Sequence, residues 1–312
     1  MQRDSPPAAG AETPLEASAV IVVRNGEKTI VRQLRALADQ RQAPPFEIIV
    51  VDNASSDGTV AVTKQWAAAG LGAATAITIV DASKRTSIPY ARNLGAMAAR
   101  GRLLLWCDAD DAVDPHWVRT FAARVFEGGA SGCMRAWRPD GTPAPDVFPG
   151  GLQQTNYLPH GSNCNMAIVR SDFLRVGGYD ESFPSYGCED VDISWRLLEA
   201  GLPMEYVPEA TIDFTVSTRT RQVRKTFLAA KARIAVALRH PQSLGTETLS
   251  AGVFIVEAIR QTCLLPMRLA RPGQVPRSRW LRNAVATWGR FAGYWTYAVR
   301  RKPEQRIEVT GR

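Results

Sequence analysis

The N-terminal third of the chain alternates between short apolar runs and amphipathic segments, and this alternation narrows the fold more than any other feature. Residues 19–23 (AVIVV), 46–51 (FEIIVV), 76–80 (AITIV) and 102–107 (RLLLWC) read as strands. Residues 27–40, 58–69 and 88–99 between them read as helices. Ile30, Leu34 and Leu37 recur on one face of the first helix, Asp57 can cap the second, and Pro89 suits the first turn of the third. Strands this apolar, joined by helix-length connections, form a parallel sheet covered on both faces. The expected fold is therefore α/β, with a mostly parallel central sheet and helices on both sides.

The remainder is organised differently. Residues 1–16 are rich in Pro, Ala and small polar residues and read as a disordered leader. Residues 17–128 form the alternating half. Residues 129–217 form a second half, with a proline-bearing loop over 138–160, a short helix from 171 ended by Gly177-Gly178, a helix beginning near Glu189, and a strand-like run over 204–207. Residues 218–312 read as a helical extension. No apolar run reaches the roughly 18 residues a membrane-spanning helix needs, and the N-terminus lacks an apolar signal core. A cytoplasmic location is expected. The five cysteines contain no Cys-x-x-Cys pair, so free thiols in a reducing compartment are expected.

Charge divides the chain in two. Residues 1–217 carry 19 Lys and Arg against 26 Asp and Glu, whereas residues 218–312 carry 19 against 4. The extension should seek a polyanion.

Ligands of open α/β sheets bind beyond the carboxyl ends of the strands, and each strand end here is polar. The first ends in Arg24-Asn25, the second in Asp52-Asn53 followed by Ser55-Ser56-Asp57, the third at Asp81, and the fourth in Asp108-Ala109-Asp110-Asp111. Carboxylates crowded after an apolar strand raise one another's pKa unless a cation neutralises them. Mg²⁺ and Mn²⁺ take such oxygens together with phosphate oxygens, so the cluster suggests a metal bridging to a diphosphate. Asp114 reads as a helix cap, and Asp192 with Arg196 as an intrahelical pair.

VIVVRNGEKTI, IIVVDNASSDGT, ARNLGAMAARG, LLLWCDADD, GSNCNMAIVRSDFLRVGGYDESF and GCEDVDISWRLLEAG occur in the order and at the spacing of one family. Residues 18–215 thereby resemble glycosyltransferase family 2. The resemblance implies a GT-A fold, with a nucleotide-sugar-binding half over 17–128 and an acceptor-binding half over 129–217. It implies an inverting transfer from a nucleotide-diphosphate sugar, most often a UDP-sugar, with Mn²⁺ or Mg²⁺ as cofactor. Carried over, Arg24, Asp52, Arg92 and Asp108 would bind the nucleotide, and the Asp108-Ala109-Asp110 DxD motif would hold the metal through Asp110 and Asp108. Gly161, Ser162 and Asn163 would line the donor-sugar pocket, and Asp190, beside Glu189, would be the general base. Glu189 would raise the Asp190 pKa by repulsion, while a helix N-terminus acts in the opposite sense. Many relatives place a metal-binding His after the Val-Pro-Glu turn; here Asp213 stands as the candidate ligand.

In the extension, Val223, Phe227, Ala230, Ile234 and Leu238 share one helical face, and this helix is expected to pack on the acceptor half and shape its cleft. Further on, Leu281, Val285, Trp288, Ala292, Trp295 and Val299 form a stripe beside basic residues. Basic amphipathic helices with Trp and Tyr suit a membrane interface, here the inner face of the membrane; a homodimer is the competing use. No nucleic-acid motif accompanies the charge. The expected partners are a nucleotide-sugar donor and a glycan or lipid-linked acceptor of cell-envelope or polysaccharide assembly. The alternatives are a sugar nucleotidyltransferase, for which Arg24-Asn25-Gly26 is too short a loop, and a non-catalytic glycan-binding or membrane-scaffold relative.

Overall fold

A computed structural model of the 312-residue chain describes residues 14–138, 140–144, 151–216, 219–244, 249–270 and 277–307. The leader read over residues 1–16 thus falls largely outside the described residues, as does part of the 138–160 loop. The predicted alternation is present: β1 (Ala17–Val23), α1 (Ile30–Ala38), β2 (Phe46–Asp52), α2 (Thr59–Ala69), β3 (Ala76–Asp81), α3 (Ile88–Ala98) and β4 (Leu103–Asp108). After these come β5 (Ala112–Val113), α4 (Trp117–Arg124), β6 (Gly129–Trp137), β7 (Asn165–Val169), α5 (Arg170–Arg175), α6 (Glu189–Glu199) and β8 (Met204–Thr215).

All eight strands join one sheet in the order β3-β2-β1-β4-β7-β6-β8-β5. β1 runs parallel to both β2 and β4, and β2 parallel to β3, so these four strands end at one edge. β7 runs antiparallel to β4 and β6, while β6 and β8 are parallel and β5 closes antiparallel on β8. Strand β6 carries no strand signal in the sequence, because it opens with Gly129-Ala130-Ser131-Gly132, which lacks the β-branched residues that reveal strands.

The two-residue period of each strand sorts side chains between two cores. Ala19, Ile21, Ile48, Val50, Leu103 and Leu105 face one side, where Leu34 and Leu37 of α1 and Trp117 and Phe121 of α4 cover them. Val20, Ile49, Val51, Leu104 and Trp106 face the other, under Ala91 of α3, Phe173 of α5, and Ile193 and Leu197 of α6. Trp106 there packs edge-on to Tyr179 at 5.5 Å.

The C-terminal helices are α7 (Arg219–Arg239), α8 (Ala251–Ala270) and α9 (Arg277–Gly293), continued by a π-helical turn, Tyr294–Val299. Helix α7 packs on the second half, though mainly by a face other than the predicted one: Ala232, Ala235 and Val236 join Phe183 and Trp195 in a third apolar cluster with Leu238 beside them. Of the predicted face, Val223 is exposed, and Ala230 and Ile234 lie against α9. Two glycines one turn apart, Gly289 and Gly293, permit this approach, since a Cβ would lie 2.4 Å from the Phe227 carbonyl oxygen and 2.6 Å from that of Lys231. The five cysteines are free thiols. Among the described residues no helix is long and apolar enough to cross a membrane.

Candidate active site

An open cleft of about 920 Å³ lies beyond the carboxyl end of β4. Arg92 of α3, Asp108 at the end of β4 and Asp110 just after it, Ser162 and Asn163 before β7, and the start of α6 line it. Lys225, Ala229 and Arg233 line it from α7, each four residues from the next on one helical face.

The ligand oxygens of Asp108, Asp110 and Asp111 lie within 4.8 Å of one another. Asp111 is fully buried. Its Oδ1 accepts the Thr215 N–H at 3.0 Å, and its Oδ2 is buried without a partner. Burial, then the charges of Asp108 and Asp110, push its pKa up to about 9. Asp108 keeps 41 % of its side chain open to the cleft. Even so, desolvation pushes its pKa up to about 6, with Arg92 opposing and Asp110 and Glu189 reinforcing. An all-oxygen set with an orphaned buried oxygen suits a hard divalent ion, so these residues fit Mn²⁺ or Mg²⁺.

Arg92 links this cluster to α6. Its guanidinium donates to Glu189 Oε1 at 2.7 Å and lies 3.7 Å from Asp108 Oδ1. Burial alone would lower the Arg92 pKa, but Glu189, then Tyr179 and Asp108, hold it above its ordinary value. Glu189 also accepts the Gly187 N–H at 3.0 Å, so its carboxylate is held from two sides. Gly187 (φ +103°) and Cys188 (φ +63°) are both left-handed, and this turn delivers Glu189 and Asp190 to the start of α6. A Cβ on Gly187 would lie 2.9 Å from Cα of Ala229 in α7, so glycine is required twice over. Asp190 is half-buried and lines the cleft. Burial, then Glu189, push its pKa up to about 6 against His160 and Arg92. The opposition left open by the sequence thus resolves upward. Cys188 is a packing residue, its thiol pushed well up by burial and then Asp190.

The other residues singled out in the sequence are distributed as follows. Asp52 ends β2 opposite Val23, and Asp108 ends β4 opposite Val22, so the two carboxylates flank the end of β1. Asp52 Oδ1 is buried without a partner. Arg24 is exposed and does not line the cleft. Gly161 is buried behind the cleft, its N–H donating to Ser194 Oγ at 3.2 Å. Ser162 Oγ accepts from Gln153 at 2.8 Å. Asn163 Oδ1 accepts the Tyr179 hydroxyl at 2.6 Å, leaving its buried Nδ2 unpartnered beside the cleft. Asp213 is not brought to the carboxylate cluster. It faces Arg135 across β6 and β8, and its Oδ1 accepts from Arg135 Nε and Trp137 Nε1, each at 2.9 Å. Asp111 is the third carboxylate instead. His160, Tyr186, Lys225 and Arg233 also line the cleft and belong to none of the sequence motifs. The four-residue steps joining Lys225, Ala229 and Arg233 were the available signal.

A parallel half ending in clustered carboxylates and a mixed second half, with a cleft at that edge, make up the GT-A fold. Residues 18–147 match the model of glycosyl transferase family 2, and residues 154–220 match one described as the N-terminal domain of galactosyltransferase. These two matches support a family 2 glycosyltransferase. The chain is 28% identical over 248 residues to validoxylamine A glucosyltransferase of Streptomyces hygroscopicus subsp. limoneus, covering 64% of this chain and 51% of that one. The chain therefore spans about half the length of that relative. Among solved structures it resembles the mannosyltransferase PcManGT from Pyrobaculum calidifontis in complex with GDP-Man and Mn²⁺, at TM-score 0.55 and 18% identity, covering 92% of this chain and 86% of that one. It also resembles GalNAc-T7 with UDP, GalNAc and Mn²⁺, at TM-score 0.57 and 16% identity, covering 96% and 60%.

Proposed function

We propose that the chain is an inverting glycosyltransferase that moves a sugar from a nucleotide-diphosphate donor, foremost a UDP-sugar, to a hydroxyl of a glycan or lipid-linked acceptor. One observation carries this reading: Asp190 and the Asp108–Asp110 pair open onto the same cleft. A proton acceptor and a diphosphate-side carboxylate cluster thus face one volume large enough for donor and acceptor together.

Asp190 takes the proton of the acceptor hydroxyl as that oxygen attacks the anomeric carbon. The bond from this carbon to the diphosphate oxygen breaks, and its electrons leave with the diphosphate. Attack opposite the leaving group inverts the centre through an oxocarbenium-like state. An Asp190 pKa near 6 suits a base working around neutrality. Glu189, held by Arg92, supports this by raising Asp190 rather than by taking the proton. Asp52, which flanks the end of β1 with Asp108, serves the nucleotide, its orphaned Oδ1 able to accept from base or ribose, whereas Arg24, exposed and off the cleft, has no part in it. Asn163 Nδ2 can donate to a donor-sugar hydroxyl, with Gly161 and Ser162 shaping that wall. Asp108, Asp110 and Asp111 would hold Mn²⁺ or Mg²⁺, which when bound offsets charge on the diphosphate. The nucleotides and Mn²⁺ held by the two solved neighbours support such a donor. A role at the inner face of a membrane, in envelope or polysaccharide assembly, belongs to the same proposal and is supported by the basic C-terminal helices.

The test is a melting-temperature series with UDP, GDP, dTDP and CDP, with and without Mn²⁺, followed by donor turnover in Asp190→Asn. Binding to the native state raises the melting temperature by mass action. One nucleotide should do so in a Mn²⁺-dependent way, and Asp190→Asn should keep that rise while turnover drops by about 10²–10⁴. The absence of any nucleotide effect would refute the donor site, and undiminished turnover in Asp190→Asn would refute the base.

A further inference from the structure

We propose that the joined outer face of α8 and α9 docks on an anionic lipid surface. On α8, Val253, Val256 and Ile259 recur every third residue and are 64%, 65% and 54% exposed. Cys263, four residues on, continues the stripe and is also exposed. On α9 and the turn after it, Leu281, Trp288, Trp295 and Val299 are exposed along one line. The two stripes form a single surface. Trp288 Nε1 donates to Thr262 Oγ1 of α8 at 2.9 Å, and the Phe254 ring lies 5.5 Å from that of Tyr294. The inner sides of both helices are used: Ala258 and Ala284 are buried, and Gly289 and Gly293 press on α7. The outer stripes have no protein cover among the described residues.

Charge selects the occupant. Arg260, Arg279, Arg282, Arg300 and Arg301 are exposed on or beside the same helices. Glu257 is the one acidic residue between positions 249 and 302. Arg260 already holds it with two hydrogen bonds of 2.7 and 2.9 Å. A second copy of this face would bring arginines against arginines, with no carboxylate to receive them. An anionic bilayer supplies both complements: phosphate and carboxylate headgroups for the guanidinium groups, and acyl chains for Val256, Ile259 and the indoles. The helices lie on such a surface rather than cross it, since no described helix can span one. Helix α7 packs on α9 and also lines the cleft, so it is shared by the docking unit and the site. This sharpens the membrane-side location proposed with the transfer reaction, yet it stands or falls without turnover.

The test is co-sedimentation of the full chain with vesicles of phosphatidylcholine alone or mixed with phosphatidylglycerol, alongside its solution mass by light scattering. Binding should need phosphatidylglycerol and weaken by roughly tenfold or more at high salt, because screening removes the attraction. Val256→Glu/Ile259→Glu should weaken it by a similar factor with an unchanged melting temperature, because both side chains point outward. In the unsubstituted chain, tryptophan emission should shift to the blue on phosphatidylglycerol vesicles. No binding, equal binding to both vesicles, or no emission shift overturns the proposal. So does a native dimer that Val256→Glu/Ile259→Glu turns into a monomer, which would assign the face to a second copy.

Discussion

Arg92 of α3 and Glu189 of α6 meet at 2.7 Å beside the cleft, and each side chain is more than nine-tenths buried. The pair joins the metal-side carboxylates to the helix that presents Asp190. Removing one partner of a buried pair costs about 3–5 kcal/mol, because the other charge is left unpaired. Glu189→Ala should therefore lower stability by about that amount in a denaturant titration. Glu189→Gln keeps a hydrogen-bond acceptor but removes the charge that raises Asp190. The Asp190 pKa then falls, so the acidic limb of the kcat/KM profile should move to lower pH and the plateau should drop. An unmoved limb would mean that Asp190 does not sense Glu189.

Asp111 makes a separate prediction. Its folded pKa is raised from 3.8 to about 9, so the folded chain holds this proton more tightly than the unfolded chain. The sign follows: without metal, this group's contribution to stability is fully present at low pH and declines between about pH 4 and pH 9. Asp111→Asn removes that decline, and its melting temperature should be the less pH-dependent of the two across this window. It should also lose most of the stabilisation that Mn²⁺ gives the native chain in the presence of nucleoside diphosphate. Calorimetric scans with and without Mn²⁺ check both parts.

These two sites show what was legible in the sequence. The parallel half could be read because β1, β2 and β4 are buried on both faces, which forces continuous apolar runs and leaves polar residues at their ends. Asp108 and Asp110 could be placed at one edge for that reason, whereas Asp190, on α6, rested on the family resemblance alone. The choice between Asp111 and Asp213 could not be read. It depends on the β6–β8 register, which sets Arg135 directly opposite Asp213. The grip of Arg92 on Glu189 spans 97 positions and has no local signature. Lys225 and Arg233 reach the site only because α7 lies along the cleft, a tertiary placement that their helical spacing does not fix.

His240, just beyond α7, fixes the end of that helix to α6. Its Nε2 lies 3.1 Å from Asp192 Oδ1 and its Nδ1 lies 2.8 Å from Glu199 Oε1, so both ring nitrogens face carboxylates. Burial would lower the imidazole pKa, but these hydrogen bonds win and raise it above 6.5. Burial likewise opposes the Asp192 charge, yet Arg196 and His240 hold its pKa down at about 2. The His240 contribution is thus complete below its unfolded pKa and is lost as pH rises through the raised folded value. The Asp192 contribution is present above 3.8 and is lost as pH falls through about 2. The melting-temperature difference between native protein and His240→Gln should be largest in mildly acidic buffer and shrink in alkaline buffer. A difference independent of pH would show that the ring is neutral and acts by packing alone.

The seam between α7 and α9 gives the last test, because here two effects of one substitution oppose each other. In an open helix, Gly→Ala stabilises by about 1 kcal/mol, since alanine is the better helix former. Gly252 of α8 is such a position: an added Cβ would meet only Ser250 Oγ at 3.8 Å, so Gly252→Ala should be neutral or stabilising. At Gly289 the same Cβ would stand 2.4 Å from the Phe227 carbonyl oxygen, which belongs to helix backbone and cannot swing aside. Overpacking of this kind costs about 1–3 kcal/mol, which outweighs the gain in propensity. Gly289→Ala should therefore destabilise the protein in a denaturant titration. Because α7 carries Lys225 and Arg233 along the cleft, it should also weaken nucleotide binding, whereas Gly252→Ala should leave that binding unchanged. Equal effects of the two substitutions would mean that α9 does not press on α7 in solution.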